Sequence, residues 1–259
     1  MTEATRERKL AILEDLASVR TVSVSELSRK LGVSEVSVRR YLEELEALGL
    51  LRRVRGGAVS VPRTILEWSF HEKMHIHRDC KERIGRAAAA MVKDGEAIIM
   101  DSGTTVMYVA RHISRDILTA GGLTVITNSL PIVRELGSWK GAQVLLLGGL
   151  YLASQEVVVG PQAVSSLNGL HADKMFLGAG GLSLEVGATT ATVLDAEVDR
   201  MAAKAADQVI AVVDSSKIGR KGLASVVPLT EIDILITDDG APADFVAQAR
   251  RLGVDTRLV

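Results

Sequence analysis

The sequence contains little cysteine and no long apolar run. Cys80 is the only cysteine among 259 residues, which excludes an internal disulfide, and the N-terminus is charged where a secretory signal would be apolar. The longest apolar stretches, 144–147 and 209–213, have the length of strands. A membrane-spanning helix needs about 18 to 20 such residues. We therefore expect a cytoplasmic protein that does not enter a membrane.

Composition and charge point to a globular protein with an unusual N-terminal segment. Hydrophobic residues make up 47% of the chain and charged residues 24%, which is typical of one large domain or two. Residues 1–63 hold 12 Lys and Arg against 9 Asp and Glu, a net charge of +3, and the remainder carries −4. This asymmetry favours nucleic-acid binding by the N-terminal segment.

Three helices are predicted in the first fifty residues. Apolar residues recur at helical spacing over 5–19. Ser23 and Glu26 form a capping box for a short second helix, and Gly32 is suited to end it in the left-handed conformation. Ser34 is a good N-cap for a third helix, which we expect to end at Gly49.

The third helix has an apolar side and a polar, basic side. The apolar side is formed by Val38, Tyr41, Leu42, Leu45 and Leu48. The opposite side carries residues that are short or basic: Val36, Ser37, Arg39, Arg40 and Glu43. Such a surface fits the major groove, which predicts a recognition helix. The alternative is a small helical cap with a solvated charged face.

Two predicted strands, 50–54 and 58–61, follow this helix around Arg55, Gly56 and Gly57. The hairpin is basic, which is typical of a DNA-binding wing. The predicted DNA-binding residues of helix and wing are Ser34, Val36, Ser37, Arg39, Arg40, Arg52, Arg53, Arg55, Gly56 and Gly57. Residues 1–61 are thus predicted to form a winged helix-turn-helix domain.

The segment ELSRKLGVSEVSVRRYLEELEALGLLRRVRGGA resembles the DNA-binding segment of the DeoR family of bacterial repressors. The resemblance covers about the first sixty residues. Tyr41 departs from the family pattern, in which an acidic residue commonly follows the Arg pair, so the contacts of Arg39 and Arg40 are expected to differ.

Residues 62–80 are predicted to be a linker. His71, His75 and His77 lie close together there, and the first two have the i, i+4 spacing of a helical metal site. No second cluster of ligands lies nearby, and Cys80 replaces the glutamate that is usual in the family. We therefore expect solvated linker residues, no metal and no cofactor.

The remainder, 81–259, alternates apolar strands, polar or glycine-rich loops and amphipathic stretches. This order predicts an α/β domain with a mainly parallel sheet. The predicted strands are 97–100, 124–126, 143–147, 174–177, 209–213 and 232–236. Polar residues follow most of them, and ligands of open parallel sheets bind outside the carboxyl ends of strands.

The loop Asp101–Thr105 precedes a helix that begins near Val106, so its hydroxyls and N–H groups are suited to a phosphate or a carboxylate. Asp101 would repel that anion and is assigned to sugar hydroxyls or to capping. Lys217 is a candidate for a balancing positive charge. Plain helix capping and tight turns are the alternative explanation of these loops.

The order of DSGTT, VITNSLP, VLLLGG, VVVGPQA, ADKMFLGAGGLS, the segment DAEVDRMAAKAADQVIAVVDSSK and PLTEIDILITD resembles the sensor domain of the same DeoR family. That sensor resembles ribose-phosphate isomerases and sugar-phosphate deaminases in fold, which implies a phosphorylated sugar as effector. The implied effector-binding residues are Asp101, Ser102, Gly103, Thr104, Thr105, Thr127, Asn128, Ser129, Gly148, Gly149, Asp173, Lys174, Glu197 and Lys217. Tyr151 and Leu152 replace a basic residue that often follows the Gly pair, which would alter the pocket rim.

The predicted function is that of an oligomeric, DNA-binding repressor of a carbohydrate-catabolism operon, relieved by a phosphorylated sugar and without catalytic residues. One alternative is an isomerase or deaminase with a DNA-binding head. Carboxylates and lysines are present, but no recognisable catalytic constellation is. The other alternative is an architectural DNA binder whose α/β domain only oligomerises.

Overall fold

The computed structural model describes residues 3–47, 50–59 and 69–259. The chain divides into two compact units on either side of the bond between His77 and Arg78. In the first unit the elements are α1 Glu3–Val19, β1 Thr21–Ser23, α2 Val24–Leu31, α3 Glu35–Ala47, β2 Arg52–Val54, β3 Gly57–Val59 and α4 Phe70–His75. All three predicted helices and the predicted hairpin are present.

Local capping signals explain the boundaries of α2. The Ser23 hydroxyl accepts a hydrogen bond from the Glu26 N–H, and the Glu26 carboxylate accepts one from the Ser23 N–H. Gly32 ends the helix with a φ of 63°. These contacts confirm the predicted capping box and C-cap.

The apolar sides of α1, α2 and α3 form one core. Its fully buried members include Ile12, Leu27, Val38 and Leu42. Leu48 and Gly49, the predicted end of α3, lie outside the described residues, as do residues 60–61 of the second predicted strand.

A third strand completes the wing and was not predicted. β1 pairs antiparallel with β3, which pairs with β2, so the sheet order is β1-β3-β2. A Cβ atom at Gly57 would lie 2.0 Å from the Val22 carbonyl oxygen. Only glycine therefore allows β1 and β3 to approach this closely.

The prediction of a linker over 62–80 was wrong in part. Residues Phe70–His75 form α4, whose N-cap is Ser69 in a capping box with Glu72. The Ser-x-x-Glu sequence that starts at Ser69 is the local signal for this helix. Residues 62–68 lie outside the described part of the chain.

The second unit begins with α5 and ends with β15. Its elements are α5 Arg78–Ala89, β4 Ala97–Met100, α6 Thr104–His112, α7 Arg115–Ala120, β5 Leu123–Thr127, α8 Leu130–Leu136, β6 Ala142–Leu146, β7 Leu150–Leu152, β8 Val157–Val159, α9 Pro161–Ser166, β9 Lys174–Leu177, β10 Gly181–Ser183, β11 Gly187–Thr190, α10 Val193–Lys204, β12 Val209–Val212, β13 Ala224–Val227, β14 Ile234–Thr237, α11 Ala243–Arg251 and β15 Asp255–Leu258.

Seven strands form a parallel sheet in the order β15-β14-β12-β9-β4-β5-β6. It contains all six predicted strands and confirms the α/β fold class. β15 was not predicted. Neither were the smaller sheet β10-β11-β13 and the ribbon β7-β8.

The order in which the chain adds strands to the sheet reverses between β4 and β9. From β4 the chain adds β5 and β6 on one side, and from β9 it adds β12, β14 and β15 on the other. Ile99, Met175 and Leu177 face a core shared with α9, α10 and α11. Neighbouring strands whose connections leave in opposite directions open a crevice at their carboxyl ends, where such sheets bind ligands.

Candidate DNA-binding and effector-binding sites

The outer side of α3 is exposed along its length. Val36 is 76% exposed, and Arg39, Arg40 and Glu43 are also exposed. The Ser34 hydroxyl accepts a hydrogen bond from the Ser37 N–H and thereby caps the helix. Capping uses one acceptor site of Ser34 and leaves the rest of this side open to a partner.

The two arginines of α3 lie along the helix surface. Arg39 Nη2 is 3.0 Å from Glu35 Oε2, and Arg40 Nε is 3.8 Å from Glu44 Oε1. The Arg40 guanidinium carbon also lies 5.5 Å from the ring centre of Tyr41. Exposed i, i+4 pairs of this kind are weak, so a DNA phosphate or guanine edge would compete well for either guanidinium.

The wing arginines differ in their surroundings. Arg52 and Arg55 are exposed and have no ion pair within the described residues. Arg53 Nη1 lies 2.8 Å from Glu43 Oε1, and the Arg53 N–H donates to Glu46 Oε1 at 2.7 Å. Arg53 is therefore held against α3, whereas Arg52 and Arg55 project freely.

Of the two wing glycines, only Gly56 is exposed. It has a φ of 86°, a conformation that favours glycine at the hairpin tip. Gly57 is buried against Val22. The prediction that Gly57 contacts DNA is therefore corrected: its role is to let β1 pair with β3.

In the second unit, the Asp101 carboxylate links the loop after β4 to the loop after β9, where the strand order reverses. Asp101 follows β4 and is 6% exposed. Its Oδ2 accepts N–H bonds from Gly178, which follows β9, at 3.0 Å and from Gly103 at 3.3 Å, while Oδ1 accepts from the Ser102 N–H. The Asp101 carboxylate is consequently occupied by backbone donors of its own loop and of the loop after β9.

Helix α6 begins directly beyond this carboxylate. Among the residues that the structure describes, no side chain caps its N-terminus at Gly103, and its first turn contains no acidic residue. Ser102 and Thr104 are half-buried and Thr105 is buried. The first N–H groups of an uncapped helix carry partial positive charge and favour an anion.

The loop after β5 presents buried polar groups at the same edge. Thr127 Oγ1 donates to the Met100 carbonyl at 2.7 Å and accepts from the Ser129 N–H, so its hydrogen bonds hold the loop. Asn128 is 3% exposed and Ser129 is 1% exposed. Within the described part of the chain, Asn128 Nδ2 and Ser129 Oγ have no hydrogen-bond partner. Such groups cost free energy unless a ligand or water satisfies them.

The Gly pair after β6 has two distinct roles. Gly148 is exposed with open space around it. Gly149 has a φ of 147°, and a Cβ atom there would lie 2.6 Å from the Val159 carbonyl oxygen. Gly149 therefore permits the close approach of β8, and Gly148 leaves the edge accessible.

Lys217 follows β12 at the same edge. Its side chain is half-buried, and burial lowers the pKa of the ammonium group against the opposing effect of Asp214. Asp214 accepts from Ser216 N–H at 3.1 Å. Burial alone would raise the pKa of Asp238, but hydrogen bonds from Ser215 lower it overall. This side of the edge therefore carries one lysine and two carboxylates.

Two of the residues implied by the family resemblance lie elsewhere. Asp173 and Lys174 stand at the amino end of β9, where Asp173 Oδ2 accepts from the Ala97 N–H at 2.8 Å and Lys174 pairs with Glu96. Parallel strands place that end opposite Asp101, so both assignments to the pocket are corrected. Glu197 is half-buried on α10.

One buried acid at this site was not predicted. Asp199 on α10 is 4% exposed, and burial, together with the negative charge of Asp101, raises the pKa of its carboxyl group. Glu197 lies two positions earlier and therefore points to nearly the opposite side of the helix. The available signal was an acidic residue at helical spacing from Ala196, Ala202 and Ala203, all of which are buried.

The described residues contain neither a metal-binding cluster nor a membrane-spanning helix. They contain no group of three or more His, Cys, Asp or Glu side chains that could hold a metal ion. Across the same residues, no helix is both long and apolar enough to span a bilayer.

The matches to known families define a DNA-binding transcriptional regulator with a C-terminal sensor domain. A model of the DeoR-like helix-turn-helix domain matches residues 8–64, and a model of the DeoR C-terminal sensor domain matches residues 76–239. The chain belongs to the DeoR family. Both resemblances drawn from the sequence are thereby confirmed.

Relatives match over nearly the whole chain. A putative aga operon transcriptional repressor of Escherichia coli O157:H7 is 32% identical, covering 98% of this chain and 94% of the relative. The transcriptional repressor GlcR of Bacillus subtilis is 35% identical, with 96% and 94% covered. The transcriptional regulator GlpR of Haloferax volcanii is 34% identical, with 96% and 95% covered.

Among solved structures, ribose 5-phosphate isomerase A of Methanocaldococcus jannaschii matches with a TM-score of 0.41 and 16% identity, over 55% of each chain. The Plasmodium falciparum ribose 5-phosphate isomerase matches with a TM-score of 0.39 and 18% identity, over 55% of this chain and 54% of that one. Likenesses of this degree have no bearing on function.

Proposed function

We propose that this regulator represses a carbohydrate operon and that a phosphorylated sugar, bound at the carboxyl ends of β4 and β5, releases it from DNA. The observation that carries the proposal is the pair of buried, unpartnered groups Asn128 Nδ2 and Ser129 Oγ beside the uncapped start of α6. Relatives named as repressors support the direction of control.

The anionic group of the effector would occupy the start of α6. Asp101 already accepts the N–H groups of Ser102 and Gly103, so the N–H groups and hydroxyls from Thr104 onward are left for a phosphate. Helix N-termini favour such anions through both their N–H groups and the helix dipole.

The sugar would extend from α6 towards β5. Met100 and Thr127 are paired in register, so Asp101 and Asn128 are the next neighbours across these strands. Asn128 Nδ2 and Ser129 Oγ are donors that match the hydroxyl or carbonyl oxygens of a sugar. An unphosphorylated sugar would satisfy these donors but leave the start of α6 empty.

On the DNA side, we propose that a dimer or higher oligomer binds repeated half-sites in the cytoplasm. A single winged helix contacts too few bases for specificity in a genome. The exposed side of α3 would enter the major groove, with Arg52 and Arg55 on flanking phosphates.

The test is the melting temperature of the full chain against sugar phosphates, their unphosphorylated parents and inorganic phosphate. We expect one phosphosugar to raise it, to remain chemically unchanged, and to release operator DNA. Asn128→Asp should lower that affinity at least about tenfold, because a donor becomes a charged acceptor beside an anion. Asn168→Asp, the same change at an exposed position, should have no effect.

Two outcomes would contradict the proposal. If no compound on the panel raises the melting temperature, the effector class is wrong. If the compound is converted to another, the protein acts on it as an enzyme.

A further inference from the structure

One edge of the parallel sheet carries a cluster of exposed apolar side chains. Of the eleven large hydrophobic residues that are exposed in the described chain, four lie within seven consecutive positions: Leu145, Leu146, Leu150 and Tyr151. Their exposed fractions range from 41% to 56%. We call these four residues the β6–β7 patch. Exposed apolar residues that cluster in this way mark an interaction surface, whereas single ones are ordinary.

β6 is the last strand of the seven-stranded sheet, so one side of its backbone is open. It pairs in parallel with β5, and no strand of the described residues pairs with its other side. Leu145 is in register with Ile126, which lies in the core. Leu146 points to the opposite face, because side chains alternate along a strand. Apolar side chains are therefore exposed on both faces of an edge whose outer N–H and C=O groups are available for pairing.

The opposite edge of the same sheet is protected by charge. This edge is β15, where Asp255 and Arg257 are exposed and form an ion pair of 2.6 Å. Charged side chains on an edge strand discourage its pairing with another chain. Residues 141–155, which include β6 and β7, contain no Asp, Glu, Lys or Arg. Of the two edges, β6 is therefore the one that lacks this protection.

The absence of charge restricts the partner. Nucleic acids are bound largely through Lys and Arg, which residues 141–155 do not contain. A charged peptide strand would bury its charges here without an opposite charge, which is costly. A second copy of this chain presents the same uncharged, apolar strand. A two-fold axis perpendicular to the sheet would place the two β6 strands side by side and antiparallel.

The exposed apolar area agrees with a dimer. If a fully exposed large side chain has an area of about 200 Å², the exposed fractions give the β6–β7 patch roughly 400 Å² on each protomer. A standard interface buries about 800 Å² per partner, of which about 65% is apolar in homodimers. The patch would thus supply most of the apolar surface that such an interface needs.

We propose that this protein dimerises through β6, which pairs antiparallel with β6 of a second copy while the β6–β7 patch packs against the partner's patch. The inference rests on the proposed function, in which an oligomer binds repeated half-sites, and it identifies the surface that forms this oligomer. All of the residues involved belong to the second unit, so the contact uses no residue of the DNA-binding unit.

The first test is Leu145→Lys in the full chain. Each dimer would then bury two ammonium groups without an opposite charge, and the dissociation constant of the dimer should rise at least about hundredfold. Sedimentation velocity over a range of concentrations measures it. The matched control is Leu252→Lys, because Leu252 is 47% exposed, against 45% for Leu145, and lies at the end of α11. This control should dissociate like the wild type.

The second test needs no variant and therefore does not depend on the folding of one. Hydrogen exchange of the wild type is followed by mass spectrometry at concentrations above and below the dissociation constant of the dimer. Amides of residues 142–152 should exchange faster in the dilute protein, because their pairing with the second copy is lost. Amides of β15 should exchange at the same rate in both samples.

The results separate the inference from the proposed function. A wild type that sediments as a monomer even at concentrations that saturate operator DNA overturns the proposed oligomer, and the interface with it. An oligomeric wild type whose β6 amides exchange equally at both concentrations overturns the interface alone. A Leu145→Lys protein with the circular dichroism of the wild type and an unchanged dissociation constant does the same, as does equal dissociation of Leu252→Lys.

Discussion

Replacement of Arg52 by alanine should reduce both the affinity for DNA and its dependence on salt. Arg52 is exposed on the wing and has no ion pair within the described residues, so it is free to neutralise a phosphate. Each such contact contributes about 0.9 to the slope of log affinity against log salt. In a dimer two contacts are lost, so the slope should fall by about 1.8.

Between 50 and 200 mM salt, the affinity of the wild type for DNA should therefore fall by a factor roughly twelve times larger than that of Arg52→Ala. Fluorescence anisotropy with operator and with unrelated DNA measures it, and the loss should be equal on both sequences. The matched control is Arg251→Ala, an exposed arginine on α11. An unchanged salt slope, or a loss confined to one base position, would refute a phosphate contact by Arg52.

The ion pair of Arg53 gives the same experiment an internal comparison. Its guanidinium is 2.8 Å from the Glu43 carboxylate, and this pair must be broken before Arg53 neutralises a phosphate. Arg53→Ala should therefore cost less affinity than Arg52→Ala. Glu43→Gln should raise affinity, since it frees Arg53 and removes a negative charge from the DNA-facing side.

Three further changes test the fold around the sites. Gly57→Ala should lower the stability of the DNA-binding unit by about 1 to 3 kcal/mol, because its Cβ would meet the Val22 carbonyl. Urea unfolding measures the change, and Arg55→Ala, at an exposed position next to the tip, is the control. Ser23→Ala should lower the free energy of unfolding by about 1 kcal/mol, because the α2 helix loses its N-cap. The same urea unfolding curves measure this change, and an unchanged free energy of unfolding would mean that the cap is dispensable. Gly178→Ala should weaken effector binding more than stability, since it displaces Asp101, and calorimetry that finds unaltered affinity would contradict this.

Local signals explain why much of the fold could be predicted from the sequence. The Ser23–Glu26 box, the Gly32 cap and the apolar strands each depend on residues close together in the chain. β1 escaped prediction because three residues are too few for a periodicity. The small sheets were missed because their strands are held by pairing with distant partners rather than by their own pattern.

The candidate site was only partly predictable, because it depends on strand order. Asp101 and Asn128 were predicted because each follows an apolar strand, and they follow two paired strands in the structure. Asp173 and Lys174 came from the family resemblance, although their place at the start of a predicted strand already argued for the opposite edge. Asp199 was not predicted, because its burial depends on how α10 packs against the rest of the unit.

Coupling between the two units is measurable without a structure of the complex. If an effector releases DNA, it must bind the DNA-free protein more tightly, because equal affinity for both states shifts nothing. Linkage makes the effect reciprocal, so operator DNA should weaken effector binding by the same factor by which effector weakens DNA binding. We expect calorimetric titrations of effector with and without operator to give this common factor. Equal effector affinities in the two titrations would mean that the ligand does not regulate DNA binding, and tighter binding in the presence of operator would make it a co-repressor.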